Sequence, residues 1–174
     1  MKILTLLLVT FFYIQAIVWA VPYNATIGPY TVSFDMGFSN YYFTETPWKA
    51  TESLSGQKYE VGSVDVYKNS DYTEGIAIIA ITHNDEDQSF LSPSASAKSF
   101  GEVFDSAAVR TIDGVSGTIW SSKLDNGITI YMAQYHPAFD PKRLNVSIES
   151  NYLWDEGTLQ LLKTIHVEKI NATT

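Results

Sequence analysis

Ser116 is the first side chain whose sequence context could support chemistry. It lies in Gly114–Thr118, which matches the Gly-x-Ser-x-Gly nucleophile elbow of hydrolases at its first four positions. The fifth position is Thr118, where that elbow needs a glycine so that a strand can turn sharply into a helix. The residues that follow predict a β-hairpin instead. We therefore interpret this segment as a bulge or turn between strands and assign no catalytic residue.

Metal chemistry finds no support in the spacing of the candidate ligands. The three histidines, His83, His136 and His166, stand singly, without His-x-His or His-Glu-x-x-His spacing. The acidic run Asn84–Asp87 offers oxygens to Ca²⁺ but lacks the central glycine and the distant bidentate Glu of an EF-hand loop. We interpret this run as a solvated loop, and we predict no metal site and no cofactor.

Carboxylates provide the remaining catalytic option. Asp113 and Glu102 could act as acid and base in a hydrolase that works outside the cell, but no spacing rule pairs them, and acid–base catalysis requires a defined geometry. We therefore favour a noncatalytic interaction module, which binds a protein or envelope component, over an enzyme. The extracellular hydrolase is kept as the alternative.

Aromatic residues are concentrated in the irregular segment 37–58. The four candidate binding residues there are Tyr41, Tyr42, Phe43 and Trp48. Rings on a loop can stack on a sugar or bind a partner protein. The alternative is that this long connection, with a short helix near Pro47, folds back over an open sheet face and buries its rings.

Three sequons for N-linked glycosylation occur in the chain. They begin at Asn24, Asn145 and Asn171. Asn145 alternates with apolar neighbours, so its side chain should face outward, whereas Asn24 and Asn171 belong to terminal segments. All three are predicted modification sites if the chain enters a secretory pathway with a glycosylation system.

The N-terminus has the organisation of an export signal. Residues 1–20 comprise a charged start, an apolar run and a small-residue end at Ala20. We predict cleavage after Ala20 and a single exported domain over residues 21–174, secreted or at the cell surface. The alternative is a retained membrane anchor, since the apolar run reaches the roughly 18 residues of a short spanning helix.

Composition excludes some partners. Cleavage would remove Lys2 from the eleven basic residues and leave ten against nineteen acidic ones, a net charge of −9. This charge would repel nucleic acid and anionic lipid, so we expect neither as a partner and expect membrane contact only through an uncleaved leader. The chain has no cysteine, so the domain must rely on apolar burial and hydrogen bonds.

Hydrophobic periodicity predicts several strands. Residues 30–36 alternate so that Tyr30, Val32, Phe34 and Met36 share one face. Further strands are predicted over 59–67, 75–82, 108–112, 117–123, 128–135, 144–149 and 165–168. The run Ile76–Ile81 is apolar on both faces, which predicts a central strand covered on both sides. The dipeptide Asn126-Gly127 predicts a tight two-residue hairpin.

Two helices are predicted to cover the sheet. Ser92 and Pro93 are suited to cap and begin a helix that carries Phe100 and Phe104, and Asp155 could cap a second helix rich in leucine. The predicted class is therefore α+β, a mostly antiparallel sheet with helices packed on its faces.

The order of these elements resembles the Mog1/PsbP-like fold. The similarity extends over about residues 28–170 and depends on the Tyr-Thr-Val-Ser-Phe strand, the capped helix, Ile112-Asp113-Gly114, the Asn-Gly hairpin and the final Leu161–Ile165 helix end. The resemblance implies an α/β/α sandwich and a scaffold whose members mostly bind partner proteins or help to assemble complexes. It brings no catalytic residues, and fold analogy alone does not establish a function.

Overall fold

β-Strands dominate the structure. The computed structural model describes residues 22–54 and 56–170, with 51% strand and 14% helix. The ten strands are β1 Tyr23–Ile27, β2 Tyr30–Phe34, β3 Tyr42–Glu52, β4 Lys58–Tyr67, β5 Gly75–Asn84, β6 Ser106–Ile112, β7 Val115–Lys123, β8 Thr129–Tyr135, β9 Leu144–Ser150 and β10 His166–Lys169. They form two antiparallel sheets, so the predicted α+β class with its α/β/α sandwich is wrong, and the described residues are mostly β.

A small three-stranded sheet forms one layer of the core. Its order is β1-β2-β10, and the predicted alternation in β2 is confirmed because Tyr30, Val32 and Phe34 are buried. Strand β1 was not predicted, although Tyr23, Ala25 and Ile27 alternate with polar residues and Ala25 and Ile27 are buried in the core. This sheet takes the place that the α/β/α prediction gave to a helical layer.

A seven-stranded sheet of order β3-β4-β5-β9-β8-β7-β6 forms the other layer. Its inner face, which includes Val64, Ile79 and Val146, packs into the core shared with the small sheet. Its outer face is open over the middle strands, where Ile78 of β5 is 45% exposed. Strand β5 is therefore central, as predicted, but it is not covered on both sides.

The first helix, α1, spans Pro93–Gly101 and covers one end of the outer face. It begins as predicted, with Ser92 Oγ accepting a hydrogen bond from the Ala95 N–H and Pro93 in the first turn. The Phe100 ring stacks on Trp120 with centroids 4.0 Å apart. The prediction that this helix packs on a face of the sheet is therefore confirmed for α1.

The second helical segment starts with a π-helical turn, Trp154–Thr158, and continues as α2, Leu159–Thr164. The predicted cap by Asp155 is wrong, because no side chain caps this turn. Thr158 Oγ1 instead lies 2.7 Å from Ser150 Oγ and donates to the Tyr152 carbonyl at 2.8 Å. This buried pair of hydroxyls connects the end of β9 to the helix.

Both predicted turns between β6 and β8 are present, and the second is longer than predicted. At Asp113-Gly114 both φ angles are positive, +50° and +73°, so this is a two-residue type I′ hairpin turn between β6 and β7. The predicted hairpin between β7 and β8 is confirmed, but its turn is longer. Only Gly127 of Asn126-Gly127 has positive φ, and Leu124 donates its N–H to the Ile128 carbonyl.

The segment predicted as an irregular connection is mostly strand. Strand β3 occupies Tyr42–Glu52 and pairs with β4 along its length. The register shifts between Thr46 and Lys49, where Pro47 and Trp48 form a bulge. A proline is tolerated at a bulge or an edge strand, so Pro47 does not end this strand and no helix forms there.

Candidate functional site

The four aromatic residues predicted to bind divide into two groups. Only Tyr42 is exposed, at 37%. The other three are half-buried and pack against the hydrophobic core. Their ring contacts are Tyr41 with Phe34 at 6.1 Å, Phe43 with Tyr23 at 3.7 Å and Trp48 with Tyr30 at 5.5 Å between centroids. These rings are packed inward as the alternative expected, but the segment does so as edge strand β3 and not as a loop folded over the sheet.

Asp113 joins the two sheets. From the β6–β7 turn its carboxylate accepts hydrogen bonds from the Val167 N–H at 3.0 Å and the Tyr135 hydroxyl at 3.4 Å, and it lies 2.6 Å from Nδ1 of His166. Burial, and next the adjacent Asp113 carboxylate, raise the pKa of Tyr135. The carboxylate therefore links β10 of the small sheet to Tyr135 at the end of β8 in the large sheet.

Glu102 does not share a site with Asp113. It follows α1, just before β6 begins, whereas Asp113 follows the end of β6. Seven extended residues separate them by roughly 20 Å. The paired carboxylates of glycosidases are about 5–9.5 Å apart, so these two groups cannot act on one bond.

Ser116 lies in the regular part of β7. The β6–β7 register runs without a shift from Ser106–Ser121 to Ile112–Val115, so no bulge forms at Ser116. The other interpretation, a turn between strands, is confirmed at Asp113-Gly114. A strand precedes and follows this turn, whereas a nucleophile elbow leads into a helix. The fold therefore gives Ser116 no elbow geometry.

The other candidate ligands are engaged in separate contacts. His83 Nε2 is 3.4 Å from Asp140, and Asp87 forms ion pairs with Lys142 and Arg143, which lower the pKa of its carboxyl group. Within residues 22–54 and 56–170, no group of three His, Asp or Glu side chains could hold a metal ion.

His136 is also held by protein contacts. Its ring stacks on Phe90 at 3.9 Å, and its Nδ1 is 3.0 Å from the Leu144 carbonyl oxygen. Burial lowers the pKa of this imidazole. These contacts fix the ring at the end of β8.

The sequons occupy different surfaces. Asn24 is exposed on β1, and Asn145 points to the outer face of the large sheet, where its Oδ1 accepts a hydrogen bond from Gln134 at 2.7 Å. Asn171 and the predicted leader, residues 1–20, lie outside the described residues. In the described part of the chain, no helix has both the length and the apolar character needed to cross a membrane.

An open groove lies where the small sheet and α2 stop covering the inner face. Its floor comes from Ala108 of β6 and Ile119 of β7, and its volume is about 530 Å³. One wall is formed by Trp154, whose ring lies 5.0 Å from that of Tyr131. Arg110 lines the β6 side. We call this feature the aromatic groove.

The polar groups of the aromatic groove have few partners. Among the described residues, Arg110 has no carboxylate partner, and its Nη1 donates to the Val109 carbonyl at 3.0 Å. Asp155 also lines the groove, as do the hydroxyl groups of Ser106 and Ser121, whose oxygens are 2.8 Å apart. A larger hollow of about 630 Å³ between residues 56–58 and 85–88 contains no ring. The aromatic groove thus combines rings, a cation and hydroxyls, which is suited to recognition.

Sequence reasoning did not identify the aromatic groove. Trp154 and Arg110 are 44 positions apart and belong to separate predicted elements. The one local signal was Leu153-Trp154, two large apolar residues in front of a polar helix start. Comparison with protein-family models, with curated proteins and with solved structures finds no match to this chain.

Proposed function

We propose that this chain is a noncatalytic, exported or cell-surface interaction module that binds a protein or envelope component in the aromatic groove. The observation that carries this proposal is an open groove that is lined by the paired rings of Trp154 and Tyr131 and, farther along β6, by Arg110. Tryptophan, tyrosine and arginine are the residues that contribute most binding energy at protein interfaces. Tyr42 is a second, separate candidate contact because its ring is exposed.

The charge of the chain supports the same partner classes. A mature net charge of −9 disfavours nucleic acid and anionic lipid. Rings beside hydroxyls also suit a carbohydrate, so a sugar component of the envelope is included among the partners. The export that this function requires depends on the leader, and the resemblance to the Mog1/PsbP-like fold stays a prediction.

The alternative, an extracellular hydrolase, has weaker support. Asp113 is occupied by contacts to His166, Val167 and Tyr135, and Glu102 is too distant to complete an acid–base pair. A hydrolase would therefore need a different set of residues.

Site-specific photocrosslinking tests the proposal. A benzophenone amino acid at Ser106, inside the aromatic groove, should capture a defined partner from the native envelope, and the same probe at Lys98 on α1 should not. Arg110→Glu should abolish the capture. Lys123→Glu makes the same charge change outside the groove and should leave it intact. Identical products from both probe positions, or none from Ser106, would contradict the proposal.

A further inference from the structure

Sheet edges expose unpaired backbone groups and are usually protected. Three of the four edge strands here carry such protection. Strand β3 has Pro47 and a bulge. In β1, the Thr26 N–H donates a hydrogen bond to Glu45 Oε1 at 3.4 Å. In β10, the Val167 N–H donates to the Asp113 carboxylate. Strand β6 has seven residues, no proline and an unbroken register. It is the least protected edge of the described residues.

The turn geometry shows which groups of β6 face outward. A type I′ turn closes on a hydrogen-bonded pair, here Ile112 and Val115. Because such pairs alternate along an antiparallel ladder, Arg110 and Ala108 also bond to β7. The N–H and C=O groups of Val109 and Thr111 therefore point to the free edge.

Arg110 partly protects this edge. Its Nη1 donates to the Val109 carbonyl, one of the outward-facing acceptors. The same guanidinium lines the aromatic groove, so the free edge and the groove meet at one residue. An incoming N–H could replace the guanidinium at the Val109 carbonyl and leave it free to bind a carboxylate.

We propose that an extended segment of a partner protein adds to β6 as a further strand, with an apolar side chain against Trp154 and a carboxylate on Arg110. This inference rests on the proposed function and names the partner's chemistry. Strand addition combines backbone hydrogen bonds, which give affinity, with side-chain pockets, which give specificity.

The register fixes the spacing of the two recognition elements. Ser106 pairs with Ser121, which pairs with Tyr131, so the ring end of the groove is level with Ser106. Arg110 is four residues farther along the same face of β6, about 13 Å at the rise of a strand. The added strand should therefore carry its apolar and acidic residues four positions apart.

The charge distribution favours such a partner over a second copy of the chain. Antiparallel pairing of two β6 strands around Val109 would place the two Arg110 side chains near each other on one face, and like charges on adjacent strands are destabilising. A carboxylate at this position would instead compensate a cation that has no acidic partner among the described residues.

Peptide binding to the full chain tests the inference. The probes are two ten-residue peptides, Thr-Val-Leu-Thr-Val-Thr-Glu-Thr-Val-Thr and its reverse, which cover both strand directions. One of them should bind in fluorescence anisotropy and shift the amide resonances of Val109 and Thr111. N-methylation of its backbone on the β6 side should weaken binding at least about tenfold, since it removes ladder hydrogen bonds.

Variants of the chain provide the second readout. Val109→Pro removes an outward N–H and not a ladder bond to β7, so it should fold and lose about tenfold in peptide affinity. Arg110→Glu should lose a similar factor, and Lys123→Glu should not. Three results would overturn strand addition by a partner peptide. The first is that neither peptide binds, and the second is that binding is unaffected by both peptide N-methylation and Val109→Pro. The third is that the chain forms a dimer that Val109→Pro abolishes.

Failure of this inference can be distinguished from failure of the proposed function. If the Ser106 photocrosslinker captures an envelope partner equally well in the Val109→Pro background, the groove binds and strand addition is wrong. Binding of envelope oligosaccharides that competes with this capture would likewise overturn strand addition and leave the groove as a binding site. If nothing is captured from wild-type chain, the proposed function itself fails.

Discussion

Replacement of Asp113 should measure how strongly the two sheets are joined. The informative change is Asp113→Gly, because φ is +50° at this position and glycine adopts such a conformation without strain. The turn is thereby kept, and only the carboxylate is lost. An alanine here would add backbone strain and obscure the result.

The expected loss follows from the groups left without an acceptor. The Val167 N–H and the Tyr135 hydroxyl belong to residues only 2% and 1% exposed, and an unpaired buried polar group costs about 1–3 kcal/mol. The bond to His166 adds less because that side chain is 58% exposed. We count about 2 kcal/mol for the Val167 N–H and about 1 kcal/mol for the longer Tyr135 bond. Allowing up to about 1 kcal/mol for the relief of positive φ, Asp113→Gly should reduce the free energy of unfolding by about 2–3 kcal/mol.

Urea unfolding followed by tryptophan fluorescence and far-ultraviolet circular dichroism measures this change. Asp113→Asn is the matched control, since asparagine tolerates positive φ and keeps a side-chain oxygen, and it should lose only about 1 kcal/mol. His166→Gln should lose still less. A loss below about 0.5 kcal/mol for Asp113→Gly, within the range of ordinary surface substitutions, would refute the role of this carboxylate in joining the sheets.

Three further predictions concern stability. Trp48→Ala should cost about 2 kcal/mol or more because its ring packs over Gly28 and Tyr30, whereas Tyr42→Ala should stay within about 0.5 kcal/mol; equal urea midpoints would contradict this assignment. Thr158→Val should cost about 1–3 kcal/mol by removing the bonds to Ser150 and to the Tyr152 carbonyl, and an unchanged melting temperature would count against it. Burial raises the pKa of Tyr23 and Tyr30 to about 12, against roughly 10 when unfolded. Their contribution to stability is therefore fully present below about pH 10 and is lost as pH rises through about 12. Absorbance at 295 nm should show a late tyrosine titration in the native protein only, and a single transition near pH 10 would contradict this prediction.

Local patterns were sufficient for the regular elements. The alternation of Tyr30, Val32 and Phe34 predicted β2, and the Ser92-Pro93 pair predicted the start of α1. Strand β3 could not be predicted, because Pro47 and Trp48 interrupt its pattern and its stability comes from pairing with β4. The intrinsic β-propensity of residues predicts a strand poorly when contacts with neighbouring strands determine its stability.

Layer assembly and the candidate site depend on contacts between distant segments. The run around Ile78 is apolar on both faces of β5, which predicted that the strand is covered on both sides. The small sheet covers only the inner face. The aromatic groove exists because the π-helical turn brings Trp154 to the inner face of β6 and β7, where Arg110 lines another part of the same groove. No spacing rule in the sequence contains that information.

The pairing of β2 with β10 has a consequence for how the chain folds. Val32 and Val167 are register partners 135 positions apart, so this layer requires closure of a loop that includes almost every other element. Loop closure of this length must precede the gain from pairing, which slows folding. A nascent chain therefore cannot complete its core until residue 169 has been synthesised, and a truncation before β10 should leave the edge of β2 without its partner strand.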